Sequence, residues 1–420
     1  MFASLKSAMK IDDLRRKIVF TILMFFVFRL GAHIPVPGID TAQLKQLMDS
    51  GTLFGFIDVI SGGAFKKFTI FAMGIMPYIN ASIIMQLLTV VIPYLERLAK
   101  EGQEGQKKIV QFTRYGTVIL GFIQAVGMAF YLGKAGVLEN AGIGSYAVIA
   151  ITLTAGTAFL MWLGEMITEK GIGNGISLII FAGIVSRLPA GLYGMYQYVS
   201  TGETSIFAVL FFLVIALVVI AGVVAIQEGQ RRIPVQYAKR VVGRKVYGGQ
   251  STHIPLKVNQ AGVIPVIFAM SILLFPTTIA SWFPNNAFAQ TIVGIFSFRS
   301  VSYMVMYALL IIFFTYFYTA VTFNPQDVAD NMKKYGGFIP GLRPGRPTAE
   351  YIDRVLTRIT LSGAIFLAAI ALLPNLVMAL TGLNIYFGGT ALLIVVGVAL
   401  ETMKQIESQL LMRNYQGFMK

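Results

Sequence analysis

The chain alternates between long apolar runs and short polar segments. Ten runs of about 18 or more residues, enough to cross roughly 30 Å of hydrocarbon, fall at 18–34, 68–92, 115–133, 145–164, 173–196, 205–227, 259–283, 303–323, 359–380 and 383–403. Each predicts a spanning helix. The fifth is the most interrupted, by Arg187, Pro189 and glycines. One apolar stretch is too short to span: Leu53-Phe54-Gly55-Phe56-Ile57-Asp58-Val59-Ile60, between Gly51 and Gly62-Gly63. Its length allows only about two helical turns, roughly 12 Å. It predicts a re-entrant half-membrane helix, with a peripheral amphipathic turn as the alternative. Ahead of the first run, Phe2, Leu5 and Met9 recur at helical spacing among basic residues, which predicts an interfacial helix over Met1–Lys17 and no cleavable signal peptide.

Charge supplies an orientation. Lys and Arg number 27 in the loops on the amino-terminal side (1–17, 93–114, 165–172, 228–258, 324–358, 404–420) and 5 in the opposite loops, at Lys45, Lys66, Lys67, Lys134 and Arg299. Arg29 and Arg187 lie in or at the edge of spans. Short loops rich in Lys and Arg stay in the cytoplasm, so both termini are expected there, in a multi-pass membrane protein.

Composition agrees with the pattern. Of 420 residues, 56% are hydrophobic and 13% charged, with a formal net charge of +15 and a mean hydropathy of +0.72. A soluble globular domain carries about twice that charged fraction. This rules out an ordinary water-soluble enzyme.

The candidate chemistry is sparse. Absence of Cys removes disulfides, thiolate metal sites and cysteine nucleophiles. His33 and His253, the two histidines, are too far apart in sequence to suggest a metal motif, and no P-loop occurs. Asp12-Asp13 and the Asp327/Asp330 pair lie in cytoplasmic segments without a nearby His and read as solvated charge. Eight of the runs contain no Asp, Glu, Lys, Arg or His, up to position 400 in the last. An intramembrane charge costs roughly 2.5–3.5 kcal/mol on insertion scales and is kept for proton relay or ion coupling, so a charge-coupled pump is disfavoured. Neither a catalytic site, a metal nor a cofactor is expected.

Two cytoplasmic loops carry a signal beyond topology. In 228–258, Ile233, Val235 and Tyr237 alternate with Pro234 and Gln236, and a turn at Gly243-Arg244 leads into Lys245-Val246-Tyr247. This predicts a projecting basic hairpin, weakened by Pro234 unless that residue lies at an edge. Its charge suits phosphates of structured RNA or an acidic protein surface, although positive-inside bias also accounts for basic loops. In 324–358, the string Tyr335-Gly336-Gly337-Phe338-Ile339-Pro340-Gly341-Leu342-Arg343-Pro344-Gly345 predicts rigid turns presenting Arg343 for bidentate recognition.

The longer strings resemble a known family. Ile34-Pro35-Val36-Pro37-Gly38-Ile39-Asp40, Phe71-Ala72-Met73-Gly74-Ile75-Met76-Pro77-Tyr78-Ile79, Gly171-Ile172-Gly173-Asn174-Gly175-Ile176-Ser177, Ala261-Gly262-Val263-Ile264-Pro265, Pro340–Gly345 and Tyr386-Phe387-Gly388-Gly389-Thr390 resemble the bacterial SecY family, large subunits of the Sec protein-conducting channel. The resemblance implies an all-α membrane protein of ten transmembrane helices, in two inverted five-helix halves around a central pore. The first half is then 18–200, the second 201–403 and the cytoplasmic tail 404–420. It implies a plug at 53–64, including Leu53, Phe54, Phe56, Ile57, Val59 and Ile60, and a pore ring of Ile75, Ile79, Ile176, Ile180, Ile267 and Ile394. Without the family, a mid-span Ile reads as lipid or helix packing. A lateral gate between the second and third and the seventh and eighth spans is implied, for which Gln86, Gln124 and Asn259 are candidate polar residues. Asn259 alternatively reads as a solvated boundary position. The implied partners are the small membrane subunits SecE and SecG, the SecA motor, the ribosome, signal sequences and unfolded polypeptides, with Arg240, Arg244, Lys245 and Arg343 as docking residues. The expected function is a channel for secretory polypeptides that releases apolar segments sideways into lipid. The alternative is an inverted-repeat secondary transporter of a small amphiphile.

Overall fold

The computed structural model describes residues 7–40, 43–44, 58, 61–138, 140, 142–202, 205–237, 240–242, 245–247, 251–283, 286–297, 300–381 and 389–417. Every expected run carries a helix: α1 (Asp12–Gly31), α2 (Met76–Val91), α4 (Gln103–Lys134), α5 (Ile143–Lys170), α6 (Gly175–Ser200), α7 (Ile206–Glu228), α8 (Ile264–Ser281), α10 (Val301–Thr322), α12 (Arg346–Thr381) and α13 (Gly389–Gly417). Three short helices lie between them: α3 (Pro93–Lys100), α9 (Ala287–Ile295) and α11 (Pro325–Lys334). Among the described residues, six stretches are long and apolar enough to cross a membrane, and α2 with α3 makes a seventh if that bent pair is one span. The charged start of α1 lowers its hydropathy, α8 is apolar but short, and residues 382–388 before α13 lie outside the described residues.

Helix boundaries depart from the apolar runs for local reasons. In the second run, residues 68 and 70–75 form turns and Thr69 bridges to Pro35, so the helix starts only at Met76. Gly74 has φ +58, and Pro77 sits in the first turn of α2, where its missing N–H is harmless. Pro93 breaks the helix again, and α3 leaves α2 at 99° with Leu95 and Leu98 buried beneath it. The sixth helix runs through Pro189 and starts at an Asn174 cap, whose Oδ1 accepts from the Ile176 and Ser177 amides at 3.1 and 3.2 Å.

The expected helix over Met1–Lys17 is not continuous. Residues 9–11 form turns and a bend, and Asp12 begins α1, so 12–17 belong to α1. Asp12 and Asp13 favour a helix start there through the positive end of the helix dipole. Phe2 and Leu5 lie outside the described residues, as do Leu53, Phe54, Phe56, Ile57, Val59 and Ile60.

The helices form two groups. Within the first, α4 packs on α2 and α5, and α5 on α1 and α6; within the second, α10 packs on α8 and α12, and α13 on α7 and α12. The groups meet chiefly where α8 touches α2 and α4, and where α13 touches α6.

The fold is not purely helical. Strand β1 (Gln230–Tyr237) pairs antiparallel with β4 (Ser251–Lys257), and β5 (Gly337–Phe338) pairs with β1 at Gln236 and Tyr237. Strands β2 (Arg240–Val242) and β3 (Lys245–Tyr247) form the predicted hairpin about 243–244. The residues Ile233–Tyr237, expected as its first strand, instead pair with β4. Pro234 is tolerated because the β5 side of β1 is open there. Ile233, Val235 and Leu256 pack with Met332, Ile339 and Ile352, so both large loops build one platform.

Candidate functional site

The six isoleucines come from α6, α8, α13 and the entry to α2 and gather in one apolar cluster. Ile75, Ile79, Ile180, Ile267 and Ile394 are buried in it, each at 5% exposure or less, and Ile176 is partly buried against it. The burial of Ile75/Ile79 together follows from their four-residue spacing. Ile176 has a second commitment: a Cβ at Gly164 of α5 would lie 2.5 Å from its Cδ1. Its side chain therefore leans on α5 as well as on the cluster. Branched aliphatic groups hold water and ions weakly, so a constriction lined by them closes by dewetting.

The seam between the groups lies beside this cluster. Ser271 of α8 donates through Oγ to Met76 Sδ of α2 at 3.7 Å. A small cavity at the same level is lined by Met76, Asn80, Gln124, Ser271, Leu274 and Thr278, among others. Gln124 thus lines the cavity beside the Ser271–Met76 contact. Gln86 bonds within its own helix, donating to Ser82 Oγ at 3.5 Å, and its Oε1 is buried without a partner. Asn259 also turns inward, donating from Nδ2 to the Gly262 carbonyl at 2.8 Å, and is 3% exposed rather than a solvated boundary residue. Neither bond crosses the seam. Asn80, Ser271 and Trp282 were not singled out from sequence; isolated polar or aromatic residues in an apolar run carry no pattern that marks the facing helix. Trp282 packs so closely on Gly127 of α4 that a Cβ there would collide with its ring.

On the platform, Arg343 is exposed between two turns whose Gly341 and Gly345 have φ +83 and +106. Its carbonyl accepts from Thr348 Oγ1 at 2.8 Å, which ties the presenting turn to α12. The backbones of Arg240 and Lys245 lie in β2 and β3, while their side chains and the whole of Arg244 lie outside the described residues. Among the described residues, no group of three or more His, Cys, Asp or Glu is placed to hold a metal ion.

The SecY family model matches residues 69–403. The chain belongs to the SecY family. A SecY relative from Halalkalibacterium halodurans, a protein translocase subunit, is 52% identical over the full length of both chains. Among solved structures, that of a protein-conducting channel covers 94% of this chain and 92% of its own, with TM-score 0.66 at 19% identity. Sec61 in the canine ribosome–channel complex from the endoplasmic reticulum gives TM-score 0.62 at 18% identity over the same shares. These last two show the fold. The SecY relationship makes the chain a translocase subunit of a protein-conducting channel and a multi-pass helical membrane protein, and it decides against the small-amphiphile transporter.

Proposed function

We propose that secretory polypeptides pass, unfolded, through a throat closed by Ile75, Ile79, Ile176, Ile180, Ile267 and Ile394, and that apolar segments leave for lipid between α2/α4 and α8/α10. The convergence of these isoleucines from helices of both groups into one buried cluster carries the reading. An apolar waist offers a chain of arbitrary sequence no polar group to stick to, and it reseals by expelling water. On this reading the groups are the two inverted halves of the channel, 18–200 and 201–403, with 53–64 as the plug, and 404–420 is the tail.

The chain does no chemistry of its own, so the driving energy comes from a partner. The platform is the docking face for the SecA motor and the ribosome, through Arg343, Arg240, Arg244 and Lys245, and SecE and SecG complete the membrane assembly. Both termini are cytoplasmic, by the excess of Lys and Arg on that side.

The test is crosslinking from a stalled secretory chain to probes placed at Ile75 and Ile180. Labelling at these positions is the expected result. Labelling confined to lipid-facing positions such as Leu213, 42% exposed on α7, overturns the throat assignment.

A further inference from the structure

The connection between α8 and α10 is apolar in a way that loops in water are not. From Asn259 to Phe298 the sequence holds no Asp, Glu, Lys, Arg or His, whereas loops facing water are ordinarily polar. Within this connection lies α9, a helix of 9 residues, about 13 Å long. It starts at an Asn286 cap, whose Oδ1 accepts from the Phe288 amide at 2.9 Å.

Both ends of α9 are tied to the ends of its neighbours. The Asn286 amide donates to the Phe283 carbonyl at 3.1 Å, and the Phe283 amide donates to the Ala280 carbonyl in the last turn of α8 at 3.0 Å. Trp282, at this junction, packs on Gly127 of α4. At the other end, Ser300 Oγ donates to the Ile295 carbonyl at 2.6 Å and accepts from the Tyr303 amide at 3.1 Å. One hydroxyl thus joins the last residue of α9 to the first turn of α10. With both ends held at helix termini, α9 lies along the level where α8 stops and α10 starts. The 18 residues of α8 cover about 27 Å, slightly less than the roughly 30 Å of hydrocarbon, so that level falls at the edge of the lipid rather than beyond it.

The sides of α9 differ. Ala289, Val293 and Phe296 share one; Ala289 is buried and Phe296 packs against the central apolar cluster. Phe288 and Ile295, seven residues apart, share a second and are 74% and 42% exposed. Ala287, Gln290 and Gly294 form a third, exposed and small or polar. Directly after the Ser300 tie, α10 carries Val301, Val305, Leu309 and Phe313, all exposed and four residues apart. On a spanning helix such a stripe faces lipid.

We propose that α9 is an interfacial helix that beds Phe288 and Ile295 in the boundary between lipid headgroups and acyl chains, at the end of α8 and α10 away from the β1–β5 platform, with Gln290 toward water. The partner is the lipid surface itself. A helix with one apolar and one polar side rests in that boundary by burying the first. The neighbouring α10 stripe continues the same apolar surface, and α9 has no charge with which to specify a protein partner. Anchors of this kind set the depth of the helices joined to them, here α8 through the Trp282 junction and α10 through Ser300.

The chain has no native Cys, so Phe288→Cys, Ile295→Cys or Gln290→Cys each gives it a single thiol for an environment-sensitive fluorophore. Each full-length variant, in its native complex, is placed in vesicles of phosphatidylethanolamine and phosphatidylglycerol. Quenching is read with a nitroxide high on the acyl chain, with one near the chain end, and with iodide in the water. At 288 and 295 the shallow nitroxide should quench several-fold more than iodide and more than the deep nitroxide, while at 290 iodide should prevail. Iodide quenching at 288 and 295 equal to that at 290 overturns the proposal. So does stronger quenching by the deep nitroxide, which would place α9 inside the hydrocarbon, and so does quenching by neither, which would mean that protein covers the face. A benzophenone on the position-288 thiol gives an independent reading: adducts to phospholipid are expected, and adducts to protein alone overturn the lipid assignment. None of these readouts involves export, so they stand or fall apart from the channel reading.

Discussion

Ser271 and Met76 meet across the seam between the two helix groups, with Ser271 Oγ 3.7 Å from Met76 Sδ. A hydroxyl-to-thioether bond is weak, and hydrogen bonds between membrane helices are worth about 0.6–2 kcal/mol at most. The seam is thus closed by packing and a soft polar contact, an arrangement that separates at small cost. In a chain without native Cys, Ser271→Cys with Met76→Cys should be joined by a short thiol-reactive crosslinker, and the joined form should stop export of a signal-bearing reporter. Full export through the joined form would show that α2 and α8 need not part.

Ile79 is 3% exposed in the central cluster. Ile79→Asn places an amide where no polar partner has been provided, at a cost of about 1–3 kcal/mol. Water entering to satisfy that amide should raise ion conductance across vesicles carrying the complex and relax signal stringency. Ile394→Asn should act likewise from α13. Unchanged conductance in both variants removes these residues from the seal.

The contact between α5 and α6 predicts a contrast between two glycines. A Cβ at Gly175 would collide with the Gly164 carbonyl oxygen, a backbone atom that cannot swing away. Gly175→Ala should therefore destabilise the protein by about 1–3 kcal/mol, read as a lowered midpoint of thermal aggregation in detergent. Gly144, near the start of α5, has nothing within 4 Å of a Cβ, and Gly144→Ala should leave that midpoint unchanged or slightly raised.

Arg343 is exposed on the platform, and its turn is fixed by Gly341, Gly345 and Thr348. Arg343→Glu should lower partner-driven export strongly while the variant still accumulates in the membrane, because the side chain is exposed on the turn rather than buried in the platform core. Reversal at Arg346, already paired with Glu350 at 3.0 Å, should have a smaller effect. Equal export by the two variants would remove Arg343 from the docking face.

Much of the platform was legible in advance, but its pairing was not. Alternation at Ile233, Val235 and Tyr237 marked a strand, and Gly243-Arg244 marked a turn. Nothing local stated that β1 would bypass that hairpin to pair with β4, or that Gly337 and Phe338 from another loop would add a third strand. Helix ends were misplaced for a related reason. Hydropathy shows where a helix meets water, whereas α12 continues to Arg346 and α13 to Gly417 as polar helix beyond their apolar runs. Gln86 and Asn259 illustrate the limit for single residues. Each is polar in the right neighbourhood, yet each bonds within its own segment.

By itself the amino-acid order determined the apolar runs that carry the long helices, the expected side of each loop, the orphan segment after Gly51, the hairpin turn and the family strings. All of these depend on windows of consecutive residues, over which transfer free energies add. Only the tertiary structure decided which faces meet: Ser271 on Met76, Trp282 on Gly127, Ile176 on Gly164, and Asp58 on Arg187. Lipid is as apolar as a protein interior, so a spanning helix needs no polar stripe to mark its exposed side. The seventh helix has such a uniform sequence and buries only Val219 and Val223. Contacts between such helices are chosen by shape, by missing side chains at glycines and by rare polar pairs, and these emerge only when distant segments are brought together.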